Sequence, residues 1–265
     1  MFKRITLQFE NQVARVTLNR ADKHNALDML MFTELAAAQK VIKRDRHCRA
    51  VIIDANGDDF CSGLDIKSVL TDRLAGLKLL WKWHPWQPNL AQQVSVGWRT
   101  MPIPVIAVIQ GRCWGGGLQI ALGCDFRFTT ASADFSVMET RWGLIPDMGG
   151  NRALMELSRR DIAMKLAMSA DTFDANEALR FGVITEIHDE PLAAAKAFID
   201  SLCQRSPDAI SAIKTLYQKH WLSPLPRILR RETWYQWRIL LSRNQSIAVA
   251  KQKGKDKSYQ RRQSW

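Results

Sequence analysis

Three consecutive glycines, Gly115-Gly116-Gly117, stand where this chain is best equipped for chemistry. A strand-like apolar run over 104–109 leads into them, and an apolar segment over 118–122, able to start a helix, leads out. Without Cβ atoms the backbone can approach a ligand closely there, at a cost in chain entropy. The unpaired N–H groups and the positive dipole end of a helix beginning just after them would converge on one spot. That spot suits an anion or a developing oxyanion. A flexible glycine loop with no ligand is the plain alternative, since glycine clusters are weak signals. A second segment repeats the arrangement: the apolar strand pattern at 50–54 runs into Asp59-Phe-Cys-Ser-Gly-Leu-Asp-Ile66, again with a glycine where the strand gives out.

FCSGLDI at 60–66 followed by GRCWGGGLQIALGCD at 111–125 resembles the two oxyanion-hole segments of the crotonase (enoyl-CoA hydratase/isomerase) superfamily. NRADKHNAL at 19–27, WGLIPDMGG at 142–150 and ANEALRFGVI at 175–184 extend the resemblance, in the family's order and spacing, from about residue 5 to about residue 220. It implies an α/β fold, a crotonase-type spiral of ββα units over 1–200, with a helical, oligomer-forming C-terminal region and basic tail over 201–265. It also implies a coenzyme A thioester as substrate, no separate cofactor, and a homotrimer or hexamer.

An enolate formed beside a thioester carbonyl needs preorganised donors, and the resemblance places them at the backbone N–H groups of Leu64 and Gly116. Glu139 matches the family's second catalytic glutamate. The position of the first is taken by Gln119, an amide that can hydrogen-bond but cannot exchange a proton at neutral pH. The two-carboxylate arrangement for adding water across a double bond is therefore incomplete, although Gln119 could still position a water. Asp147, where ordinary hydratases carry glycine, restores a pair. Glu139 with an acid eight residues on resembles the carboxylate dyad of the dienoyl-CoA isomerases. Two carboxylates in a partly apolar pocket can be driven to different pKa values, one serving as acid and the other as base. A helix cap after Pro146 is the other reading of Asp147. Lys23 and Ala26 fall in the loop matched to the CoA phosphates, Asp65 and Ile66 in the segment beside the adenine. The activity expected is double-bond migration in an enoyl- or dienoyl-CoA, with hydration by Glu139 alone as the alternative.

The elements that must hold these residues are legible in outline. Ile5, Leu7, Phe9 and then Ala14, Val16, Leu18 alternate around 10–12, which predicts a β-hairpin. Leu27, Leu30, Met31, Leu35, Ala38 and Ile42 fall at helical spacing, with Asn25 or Asp28 at the start. A segment over 65–75 and a helix over 90–100 follow, then short strands at 126–130 and 134–137. Beyond Gly150 the pattern is helical over 149–157, 159–168, 174–181, 190–204, 206–219 and 225–243, with a strand at 183–187 and Gly182 placed to end a helix. Trp81, Trp83, Trp86 and Trp98, with Pro85 and Pro88 among them, argue against one continuous helix before about Asn89. They leave two roles open, the wall of an apolar cavity or a core or subunit contact.

Composition narrows the classes. With 265 residues, 46% hydrophobic and 24% charged, the chain is ordinary for a globular protein. No apolar run is long enough to span a bilayer, and no membrane partner is expected. The N-terminus enters a strand pattern at once, without leader or transit character, which predicts a cytoplasmic location. Five cysteines with no C-x-x-C pair fit reduced thiols, Cys61 and Cys113 as small packing residues. The five histidines sit at no ligand spacing, so no metal is expected. The net charge is +12, and residues 243–265 supply half of it, with seven basic residues and one acid. A basic run can meet nucleic acid, a membrane surface or phosphates, and the family includes an RNA-binding member. No aromatic residue interleaves with the tail's charges before Tyr259 and Trp265, so nucleic acid is disfavoured.

Overall fold

The alternating hairpin forms β1 (Ile5–Glu10) and β2 (Val13–Leu18), joined by Asn11 and Gln12 at φ 48° and 68°, the left-handed pair that tight hairpin turns require. In this computed structural model, which describes residues 2–71 and 73–264, helix α1 (Met29–Arg44) follows, its first turn capped by Asp28 accepting from the Met31 N–H at 2.8 Å. Then come β3 (Ala50–Ala55), α2 (Ile66–Thr71), α3 (Arg73–Leu80) and α4 (Leu90–Arg99), the last begun by a capping box between Asn89 and Gln92. The glycine segment sits among β4 (Val105–Ile109), β5 (Arg112–Trp114), α5 (Gly116–Leu122), β6 (Phe126–Thr129) and β7 (Asp134–Ser136). The remainder is α6 (Gly150–Leu157), α7 (Arg160–Ser169), β8 (Thr172–Asp174), α8 (Ala175–Arg180), β9 (Glu186–Ile187), α9 (Pro191–Cys203), α10 (Pro207–His220), α11 (Leu225–Leu240) and α12 (Arg243–Gln252). Asp72 of the expected 65–75 segment, Met1 and the tail's Trp265 lie outside the described residues.

Two sheets carry the chain. The larger runs in the order β1-β2-β3-β4-β6-β9 and is parallel except for the hairpin; the smaller is β5-β7-β8. A parallel strand covered on both faces reads as an unbroken apolar run, and β4 is buried at all of its residues. Its side chains alternate between two cores. Val105, Ala107 and Ile109 join Phe32, Leu35, Trp98 and Leu118, while Ile106 and Val108 join Ala195 and Ile199 of α9 on the other face. Each strand of the large sheet after β1 hands the chain to the small sheet or a loop and then to a helix, the α/β arrangement that the resemblance implies.

Several expectations need correction. The 65–75 segment is two helices running to Leu80, and the expected strand at 183–187 shortens to Glu186–Ile187. The helix expected to end at 243 ends at Leu240, and α12 follows it. Trp81, Trp83 and Trp86 stand in solvent rather than in a wall or core, whereas Trp98 is fully buried. The basic tail is only partly a solvated run. Arg262 is 5% exposed, its carbonyl accepting from Arg46 Nε and Nη2 at 2.9 and 2.8 Å, and the Gln263 N–H donates to Asp208 at 2.7 Å. Among the described residues no helix is long and apolar enough to cross a membrane.

Candidate active site

The two glycine segments are locked side by side by backbone hydrogen bonds. Cys61 and Cys113 pair as a parallel bridge: the Cys61 N–H donates to the Arg112 carbonyl and the Trp114 N–H to the Cys61 carbonyl, both at 2.9 Å. The segments stay close beyond the bridge, since a Cβ on Gly63, the residue before Leu64, would lie 3.6 Å from the Gly116 nitrogen. On the other side of Leu64 the Leu27 N–H donates to the Gly63 carbonyl and the Asp65 N–H to the Leu27 carbonyl. A parallel bridge of that kind uses the groups of residues 63 and 65 and turns the Leu64 amide away from Leu27. Gly116 is the first residue of α5, so its N–H has no partner within the helix. Gly115, at φ 48° and ψ −119°, makes the turn into that helix, a conformation open to glycine and strained for other residues. Gly117 is needed for closeness instead, since a Cβ there would lie 2.6 Å from the Cys61 carbonyl oxygen.

These amides open on a cavity of about 490 Å³ lined by Leu64, Ile66, Gly115 and Gly116, by Glu139 and Asp147, and by apolar walls that include Phe32, Leu79, Trp114, Trp142, Ile145 and Met148. Glu139 begins a short 3-10 helix, Glu139–Trp142, directly after β7 and Met138. Gln119 Nε2 donates to its Oε1 at 2.6 Å, while its buried Oε2 finds no partner among the described residues. Burial pushes the Glu139 carboxyl above the usual carboxylate range, and the charge of Asp147 adds to the rise. Asp147 lies on the exposed side of the cavity, and partial desolvation of its carboxyl raises it too.

Asp147 is not the cap of the helix that follows it. That helix, α6, starts at Gly150 with Gly149 in the N-cap position and no side-chain cap. Gln119 is held in place by backbone hydrogen bonds. Its Oε1 accepts from the backbone N–H of Met148 at 2.9 Å and of Gly150 at 3.0 Å, which fixes the orientation of the amide. It is 2% exposed and lies behind the cavity wall, where it ties Glu139 to the segment that carries Asp147.

Residues 8–248 match the enoyl-CoA hydratase/isomerase family. The chain belongs to that family, the crotonase superfamily. It is 30% identical over 215 residues to the (E)-benzylidenesuccinyl-CoA hydratase of Thauera aromatica, covering 79% of this chain and 80% of the relative. It is 31% identical over 221 residues to the mitochondrial Delta(3,5)-Delta(2,4)-dienoyl-CoA isomerase of Rattus norvegicus, covering 79% and 67%. Among solved structures, the enoyl-CoA hydratase of Thermoplasma volcanium GSS1 superposes with a TM-score of 0.83 at 25% identity, covering 94% of this chain and 96% of that one. Relatives of both reaction types thus stand at nearly equal distance from this crotonase.

The residues expected at the CoA end are less tightly gathered. Ile66 lines the cavity, whereas Lys23, Ala26 and Asp65 do not. Lys23 is exposed at the end of the 3-10 helix Ala21–Lys23, and Asp65 is paired with Arg20 at 2.8 Å, which holds its carboxyl below the usual range. Arg20 also donates to the Ala26 carbonyl at 2.8 Å, so this arginine folds the loop and is no solvated charge. Cys61 and Cys113 are buried, and burial pushes the Cys61 thiol up to about 12, which leaves both as packing groups. Sequence reasoning missed the wall residues Trp114, Trp142 and Ile145. The signal available for them was their place beside the Gly115 and Gly143 turns, not any periodicity.

Proposed function

We propose that this crotonase is an enoyl- or dienoyl-CoA isomerase that shifts a double bond through an enolate. The observation that carries the reading is the carboxylate pair: Glu139 and Asp147 line one cavity, each raised in pKa, while the amide of Gln119 is committed to structural hydrogen bonds. Migration needs a proton removed from one carbon and another delivered to a second carbon of the same conjugated chain. One carboxylate as base and its protonated neighbour as acid meet that need without an activated water. The thioester oxygen would take up negative charge facing the Leu64 and Gly116 amides, donors that cost no reorganisation as the charge develops. The apolar walls supply the desolvation that strengthens both effects.

Hydration by Glu139 alone is the second reading, favoured by the 30% identity to a hydratase of a substituted acyl-CoA. The substrates separate the two. The purified protein is incubated with 2-enoyl, 3-enoyl and 3,5-dienoyl CoA esters and the products are read by mass and ultraviolet absorbance. Isomerisation gives products of unchanged mass from the 3-enoyl or dienoyl ester; rapid gain of one water on the 2-enoyl ester with no migration would instead establish the hydratase.

A further inference from the structure

The segment between α3 and α4 is used neither by the site nor by the core. Leu77 and Leu80 of α3 are mostly exposed, and the chain continues into Trp81, Trp83 and Trp86, which are 71%, 91% and 89% exposed. Pro85 and Pro88 keep the stretch out of helix, and its local hydrogen bonds run from the Trp86 and Gln87 amides back to His84. Lys78 and Lys82 stand exposed among the indoles, and residues 73–88 hold three Lys or Arg and no acid. An exposed apolar run of this extent marks a contact surface.

Its composition selects the partner. Tryptophan, with an apolar body and an N–H edge, collects where oil meets water at the lipid headgroups. Lysines flanking exposed leucine and tryptophan are the pattern of segments lying in the plane of an anionic membrane. The centre of a protein–protein interface, by contrast, is depleted of lysine. The net charge of +12 attracts the chain to a negative surface before any contact is made.

We propose that this face docks on an anionic phospholipid bilayer, the three indoles at headgroup level and Lys78 and Lys82 against lipid phosphates. Gly76, Leu79 and Leu80 of the adjoining helix α3 line the candidate catalytic cavity, so the cavity opens beside the docked face. The expectation of no membrane partner rested on the lack of a spanning segment, which says nothing of a peripheral contact. The inference holds whichever acyl-CoA reaction the cavity performs.

Co-sedimentation of the full chain with sucrose-loaded vesicles of phosphatidylcholine, with and without phosphatidylglycerol, provides the test. Binding should require phosphatidylglycerol and weaken with salt. The triple variant Trp81→Ser, Trp83→Ser, Trp86→Ser should bind at least about tenfold more weakly, since its buried apolar area is gone. Lys78→Gln with Lys82→Gln should lose roughly 25-fold, at about fivefold per charge near an anionic leaflet. Lys253→Gln, Lys255→Gln and Lys257→Gln together, in the exposed part of the tail, should stay within about twofold of the parent. Circular dichroism confirms that each variant is folded. Vesicle binding that is absent in the parent, survives the tryptophan changes, or disappears only with the tail changes overturns the proposal. So does a parent that ignores vesicles while the tryptophan variant forms a smaller assembly, because a second copy then covers the face.

Discussion

Replacing Gln119 by glutamate probes the site most informatively, because the consequence follows from one distance. The amide nitrogen of Gln119 lies 2.6 Å from Glu139 Oε1, and its oxygen accepts two backbone N–H groups. In Gln119→Glu a second carboxylate oxygen replaces that nitrogen. Two like charges 2.6 Å apart repel by about 6 kcal/mol at an effective dielectric near 20. One pH unit supplies only about 1.4 kcal/mol, so near neutrality the pair keeps one proton and titrates as a unit. The backbone donors favour the charge on residue 119, which places the proton with Glu139. If ionised Glu139 is the base for migration, the ascending limb of the pH–rate profile on a dienoyl-CoA should move upward by more than one pH unit. Hydration of a 2-enoyl-CoA should rise relative to isomerisation, the new carboxylate exchanging its proton with Glu139 across 2.6 Å from behind the cavity wall. The assay is a pair of pH profiles with product ratios, for parent and variant side by side. An unmoved limb with an unchanged ratio would show that residue 119 does not control the state of Glu139, and the reasoning fails.

Three further outcomes are expected. Gly116→Pro removes one proposed oxyanion donor at the first position of α5, where an added Cβ would lie 2.9 Å from Leu27 Cδ1 and 3.1 Å from Met148 Sδ, so those side chains must shift; in variant protein shown to be folded by circular dichroism, turnover should fall on the order of 10² or more, and unchanged turnover would remove Gly116 from the oxyanion site. Burial raises Glu139 in the folded chain, so the unfolded chain gives up its proton first, and stability falls as pH climbs from the ordinary glutamate range through the raised value. Glu139→Gln should therefore melt higher than the parent near about pH 8, with the gap closing toward about pH 4; a gap that widens in acid contradicts this sign. Helix α11 leaves Leu225, Leu229, Trp237 and Leu240 exposed around one buried residue, Tyr235, an apolar surface that a threefold assembly would cover; light scattering that gives a stable monomer at micromolar concentration would refute the assembly.

The hairpin, α1 and the two glycine segments were legible because alternation, a capping Asp28 and the strand-to-glycine junctions are local signals. Strands β5 and β8 are only three residues long, too short to show a period of two. Helix α12 is largely polar, and a helix without an apolar stripe carries no periodic mark. The docking of Arg262 onto Arg46 and Lys43 joins residues more than 200 positions apart and leaves no local trace in either segment. In the site, Glu139, Gln119 and Asp147 were singled out by the resemblance to the crotonase family, but the work of Gln119 was not. An amide facing a cavity and an amide holding two backbone N–H groups are the same letter in a sequence, and only the turn at 148–150 distinguishes them.

The dyad itself is tested most directly by Asp147→Asn, which keeps size and hydrogen bonding and removes the proton-transfer group. Turnover of a 3,5-dienoyl-CoA by this variant should fall about 10²- to 10⁴-fold, the usual worth of a positioned acid or base. Affinity for an unreactive saturated acyl-CoA should stay within about twofold, because the change alters none of the groups proposed to hold the thioester or the CoA. Full activity in Asp147→Asn, with Glu139→Gln still inactive, would mean that Glu139 works alone and that the carboxylate pair moves no proton.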